Sequence, residues 1–155
     1  MVKCVLENKI PPPIIALVSA MLMWVISTFS LDVGITFMTR IVLVIMFFLL
    51  GFFFIFLGLI SFRRAQTTVD PMKPEAASSL VRTGVYRFSR NPMYIGLVLL
   101  LLALLIFLTS PLSIIGIIGF VLYINEFQIK PEEQALMKKF GREYTEYQLK
   151  VRRWI

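Results

Sequence analysis

The sequence predicts an all-α integral membrane protein with four transmembrane helices and a C-terminal amphipathic helix. Three observations carry this. Hydrophobic residues make up 58% of the 155 and charged residues only 16%, too few to cover a water-soluble surface. The apolar residues fall in long uncharged runs instead of alternating with polar ones. The net charge is +7, and in such a chain a cytoplasmic-side bias and anionic lipid explain it better than nucleic acid does.

The first uncharged run is Pro11 to Leu31, 21 residues, opened by three prolines that break any helix continuing from residues 1–10. It is longer than the core of a cleavable signal and has no convincing cleavage site, so it is expected to be a retained span over 11–31. Asp32 to Arg40 is a polar connection. The second span is expected over 41–62, with Gly51 and Gly58 seven apart on one helical face for close helix packing. Residues 63–91 form the longest polar loop. Between 63 and 90, six basic residues stand against two acidic ones, so the loop is expected in the cytoplasm. With two spans before it, the N-terminus is expected there too.

Asn91 to Asn125 is an uncharged run of 35 residues. As one helix it would be about 52 Å long, far beyond a ~30 Å hydrocarbon core. Ser110-Pro111 near its middle suits a cap and a helix start, so two short arms, 92–108 and 111–128, are expected. Together they return the chain to the cytoplasmic side. The tail, 131–155, repeats Leu136, Phe140, Tyr144, Tyr147 and Val151 at spacings of three and four. Six basic residues give it a cationic surface, and Trp154 suits an interfacial anchor, so an amphipathic helix on the inner leaflet or under the bundle is expected.

Two polar clusters bracket the 35-residue run. Around Asn91-Pro92 a structural reading is a helix cap followed by proline at the first position. The functional reading is a helix N-terminus that holds an anionic group. Tyr86 and Tyr94 suit either a membrane-interface belt or the wall of an aromatic ligand site. Glu132-Glu133 after Pro131 suit the first turn of a helix, or a site for a cationic or hydroxyl-rich ligand. Glu126 and Gln128 either snorkel or face a polar pocket. Neighbouring helices would bring the two clusters within about 10 Å. The chain has no histidine, which removes the usual general base and zinc or haem ligand, and the lone Cys4 forms no intramolecular disulfide or metal cluster. A metal site is not expected. No phosphate loop, nucleophile elbow or βαβ stretch is present, which excludes a Rossmann-type methyltransferase.

At these residues the chain resembles the membrane-embedded isoprenylcysteine carboxyl methyltransferase and phospholipid methyltransferase superfamily. The matching pieces are Gly84-Val-Tyr86, Arg90-Asn-Pro-Met-Tyr94 with Gly96, and the Ser110-Pro111 turn. Ile129-Lys-Pro-Glu-Glu133, Phe140-Gly-Arg-Glu-Tyr144 with Tyr147, and Val151-Arg-Arg-Trp154 follow in the family's order, so the likeness covers about residues 72–155. The resemblance implies S-adenosylmethionine as methyl donor, in a pocket at the cytoplasmic end of the two arms that the C-terminal segment closes. It implies cofactor contacts at Tyr86, Asn91, Pro92, Met93, Tyr94, Glu132 and Glu133, and at Leu80 within Ser78 to Val81. It implies a lipophilic small molecule or lipid as acceptor, placed near Gln128, Asn125 and Arg90. Asn91 stands where the family often has histidine, and Gln128 where the isoprenylcysteine enzymes have an arginine able to pair with a carboxylate. A prenylcysteine acceptor therefore does not follow from the resemblance. The competing class is a non-enzymatic multispan membrane subunit that binds lipid or a partner protein.

Overall fold

The computed structural model of the chain describes residues 10–65 and 79–155. Cys4, Ser78 and the charged residues between 66 and 78 lie outside the described residues. Every regular element among those described is helical. Helix α1 is Pro12–Ser27, α2 is Phe37–Arg64 and α3 is Pro92–Leu108. A 3₁₀ turn at Pro111–Ser113 leads into α4, Ile114–Ile124. A π-helical turn, Asn125–Ile129, joins α4 to α5, Lys130–Phe140, and α6 is Arg142–Lys150.

Two helices are long and apolar enough to cross a membrane, Phe37–Arg64 and the joined helix Pro111–Phe140. Pro12–Ser27 and Pro92–Leu108 are apolar but shorter, at 16 and 17 residues. The first helix ends four residues before Leu31. Ser27 and Thr28 hydroxyls donate back to the carbonyls of Trp24 and Val25 there, and the chain leaves the helix. The second begins at Phe37, not Ile41. Arg40 is therefore helical, with its guanidinium over the Phe37 and Phe107 rings at 5.9 and 5.4 Å.

Helix α2 packs most extensively on α3, and its buried residues are all small: Gly51, Gly58 and Ser61. A methyl on Gly51 would sit 2.9 Å from the Gly96 carbonyl oxygen, and one on Gly96 would sit 2.7 Å from that of Gly51. The expected close packing is thus backbone against backbone. Helix α1 packs on α4 and α3. Ser113 donates to the Met23 carbonyl at 2.9 Å, and its hydroxyl lies 2.8 Å from that of Ser110. Ser110 makes no side-chain cap, which corrects its expected role. A core of Met23, Tyr94, Leu101, Ile117, Phe120, Ile124 and Ile129 joins α1, α3, α4 and the π turn.

Two expectations are corrected in the C-terminal third. The helix does not stop at Gln128 and restart at Pro131. It is continuous because the Lys130 N–H reaches back five residues, to the Asn125 carbonyl. Proline cannot donate to the ladder and its ring crowds the carbonyl four residues back, and the wider turn accommodates both effects. Glu132 and Glu133 therefore do not sit at a free helix N-terminus. The expected single amphipathic tail helix is broken at Gly141 (φ 50°, ψ −118°), a conformation that favours glycine. Across that break Tyr144, Tyr147 and Val151 are buried, with Leu80, Leu136 and Phe140 against them. The repeating apolar positions meet one another and Leu80.

Candidate functional site

The two polar clusters meet. Tyr94, in the first turn of α3, donates its hydroxyl to Glu132 Oε1 at 2.6 Å. Gln128, in the π turn, donates its side-chain amide to the same oxygen at 2.8 Å. Gln128 is 1% exposed and Tyr94 8%, so both donors are committed away from water. Both hydrogen bonds fall on Oε1, and the second carboxylate oxygen keeps its accepting capacity. Tyr86, also buried, stands edge-to-face on Phe62 with ring centres 5.4 Å apart.

Glu133 faces the other way, toward cations. Arg153 grips it with two hydrogen bonds, Nε to Oε1 at 3.1 Å and a terminal nitrogen to Oε2 at 2.6 Å. Those bonds hold the Arg153 guanidinium above its ordinary pKa. A terminal nitrogen of Arg90 lies 3.1 Å from Glu133 Oε1 without hydrogen-bond alignment. The Arg90 and Glu133 side chains are 13% and 14% exposed, so this charge cluster is largely desolvated.

Residues 152–154 form a strap across this end of the bundle. The Arg90 N–H donates to the Arg152 carbonyl at 3.1 Å. The Asn91 side-chain amide donates to the Arg153 carbonyl at 2.9 Å, and Trp154 Nε1 donates to Asn125 Oδ1 at 3.1 Å. Asn91 therefore does not cap α3 with its side chain. That expectation fails because the amide is taken by the strap, while Pro92 does occupy the first helical position. Trp154 packs against the core instead of standing alone at an interface. One residue group further on, Tyr147 donates to the Tyr86 carbonyl at 2.7 Å, and burial pushes its phenol well above the ordinary range, keeping the donor protonated.

Of the residues singled out in the sequence, Tyr94, Gln128 and Glu132 form one bonded group. Arg90 and Glu133 form a second, and Asn91 and Asn125 are tied to the strap. The Met93 side chain is directed at Gly58 on α2, and Leu80 packs in the tail cluster. Arg153, Tyr147 and Ser89, which donates to the Arg153 carbonyl at 3.4 Å, escaped site assignment. Their charge or polarity reads as surface, and only their recurrence in the ordered family pieces (for Arg153 and Tyr147) marked them. An open groove of about 410 Å³ lies beside Glu133, lined by Lys130, Gln134, Met137, Lys138 and Gln148.

The described residues thus define a helical bundle in which a part-buried carboxylate meets a buried phenol and a buried amide under a C-terminal strap. The chain belongs to the phospholipid methyltransferase family, whose pattern matches residues 39–143. That stretch holds Tyr94, Gln128 and Glu132 and stops short of the strap. An uncharacterised protein of Haemophilus influenzae is 51% identical over 63 residues, 41% of this chain and all of that protein. The protein-S-isoprenylcysteine O-methyltransferase of Saccharomyces cerevisiae is 37% identical over 79 residues, 51% of this chain and 33% of the yeast protein. Protein-S-isoprenylcysteine O-methyltransferase B of Arabidopsis thaliana is 31% identical over 94 residues, 61% of this chain and 48% of the plant protein. The chain therefore spans between a third and a half of those two methyltransferases. No solved structure matches it.

Proposed function

We propose that the protein is an S-adenosylmethionine-dependent methyltransferase that acts on a lipophilic small molecule or lipid at the membrane boundary. The observation that carries this is the Tyr94–Glu132–Gln128 group, inside the family-matched stretch. Its chemistry fits the cofactor. A part-buried carboxylate with accepting capacity suits ligand hydroxyls and a positive centre, and the Tyr86 and Tyr94 rings supply aromatic wall. Glu132, Tyr94 and Tyr86 would hold the cofactor. The strap, anchored on Asn91, Asn125 and Glu133, would close over it.

When bound, S-adenosylmethionine supplies a methyl group activated on a sulfonium. The chain's own residues would orient the acceptor and keep water out. An anionic acceptor needs little or no general base. An ammonium or hydroxyl acceptor needs one, and with no histidine in the chain the candidates are Glu132, Glu133, Glu126 or a tyrosine.

All four apolar helices are proposed to cross the bilayer, with both termini in the cytoplasm. The basic loop after α2 supports that orientation, and a reporter fused after Ile155 that proves external overturns it. The function is tested by calorimetry of S-adenosylhomocysteine with the full chain in detergent, alongside Glu132→Ala and Tyr94→Ala. The parent is expected to bind and both variants to bind far more weakly. A folded parent that does not bind refutes the methyltransferase and favours the non-enzymatic membrane subunit.

A further inference from the structure

We infer that Gln128 is a positioning residue, whose amide aims the Glu132 carboxylate at the ligand and does not itself touch that ligand. This rests on the reading of Glu132 as a ligand-binding group. Gln128 is 1% exposed, and its amide nitrogen donates to Glu132 Oε1 at 2.8 Å. Tyr94 gives the same oxygen a second hydrogen bond, at 2.6 Å, from another helix. Two donors from two directions on one oxygen fix the carboxylate plane, and with it the direction of the second oxygen. A single donor leaves that plane free to turn.

The backbone supports the same role. Gln128 lies in the π turn, Asn125–Ile129, three residues before Pro131. That turn adds a residue to the helical circuit and re-aims whatever follows it. The amide bond spans the change of register, tying the side chain inside the turn to the carboxylate just after it. A neutral amide is suited to this place. It gives a carboxylate a donor without burying a further charge, and the nearby charges, Arg90, Arg153 and Glu133, already pair among themselves.

The experiment is a double-mutant cycle on S-adenosylhomocysteine affinity, using the full chain in detergent: parent, Gln128→Met, Glu132→Ala and the pair, with melting curves for each. Gln128→Met keeps the bulk and removes the donor. It is expected to weaken binding about ten- to a hundredfold, the worth of a hydrogen bond to a charged group. The pair is expected to bind no more weakly than Glu132→Ala alone, because a positioning Gln128 reaches the ligand through that carboxylate. Gln128→Asn, which keeps the amide but draws it out of reach, is expected to behave like Gln128→Met and covers the case in which the methionine variant unfolds. Losses that multiply in the pair mean that Gln128 contacts the ligand itself and overturn the assignment, as does parent-like binding by Gln128→Met. A folded parent that binds nothing refutes the methyltransferase reading and this assignment with it; multiplying losses with a binding parent refute only the latter.

Discussion

Trp154 Nε1 donates to Asn125 Oδ1 at 3.1 Å, tying the end of the chain to the first residue of the π turn. The two residues are 29 apart in sequence. The turn that carries Gln128 is therefore braced from outside by the same strap that binds Asn91 and Glu133. Strap and turn are one mechanical unit, and disturbing either is expected to reach the other.

Trp154→Phe and Trp154→Ala separate the two things the tryptophan does. Phenylalanine keeps most of the packing against the core but leaves Asn125 Oδ1 without its donor, an expected loss of about 1 kcal/mol. Alanine also removes the ring, and the loss is expected to rise to about 2–4 kcal/mol. Thermal unfolding in detergent ranks the three proteins. Parent-like melting of both variants shows that the strap is not held by Trp154.

Glu133 is the shared partner of Arg90 and Arg153, so the three side chains are expected to respond unequally. Arg153 is 35% exposed, and solvent screens much of its attraction. Arg153→Ala is expected to cost about 1 kcal/mol. Glu133→Ala strands both guanidinium groups, including the 13%-exposed Arg90, and is expected to cost about 3 kcal/mol. Exchanging the charges (Glu133→Arg with Arg153→Glu) is expected not to restore stability, because it sets the new arginine against Arg90. Recovery by the exchange would show that Arg90 does not share the pair.

Much of this was legible in the residues, and the failures have a common cause. The apolar run Pro92–Leu108 coincides with a helix because nothing in it competes with helix formation. The pairing of Gly51 and Gly58 was legible because small residues at a seven-residue spacing make one face. The meeting of Tyr94 and Glu132 followed from two polar clusters at the ends of one run that folds back on itself. Local capping rules failed where distant partners outbid them. Asn91 spends its amide on Arg153, 62 residues away. Pro131 sits inside a helix because the π turn absorbs it, and a turn of that kind is not visible in a pattern read four residues at a time. Arg153 and Trp154 looked like a basic surface with an interfacial ring, since nothing local shows that a chain end folds inward.

Thr109 ends α3 with φ 48° and ψ 27°, a left-handed conformation that a β-branched residue adopts at a cost. Its carbonyl also accepts the Val33 N–H at 3.2 Å, so the turn links α3 to the segment after α1. Thr109→Gly removes the steric cost and leaves that backbone bond in place. It is expected to stabilise the protein by about 0.5–1 kcal/mol, seen as a higher melting temperature. A drop would mean that the Thr109 hydroxyl, which donates to the Leu108 carbonyl at 2.8 Å, outweighs the strain.

The glycines of α2 connect packing to the site, and three alanine substitutions test the connection. A methyl at Gly51 meets the Gly96 carbonyl oxygen at 2.9 Å. Neither backbone can move without separating α2 from α3, so Gly51→Ala is expected to cost about 1–3 kcal/mol. A methyl at Gly58 overlaps the Met93 side chain, which is flexible and can yield. Met93 adjoins Tyr94, and its displacement shifts the hydroxyl that binds Glu132. Gly58→Ala is therefore expected to melt near the parent while losing about tenfold in S-adenosylhomocysteine affinity, the equivalent of about 1.4 kcal/mol. Gly119 on α4 has nothing within 4 Å of a built Cβ. Gly119→Ala is expected to gain up to about 1 kcal/mol from helix propensity alone and to bind like the parent. If Gly58→Ala binds as tightly as Gly119→Ala, Met93 does not transmit the α2–α3 contact to Tyr94.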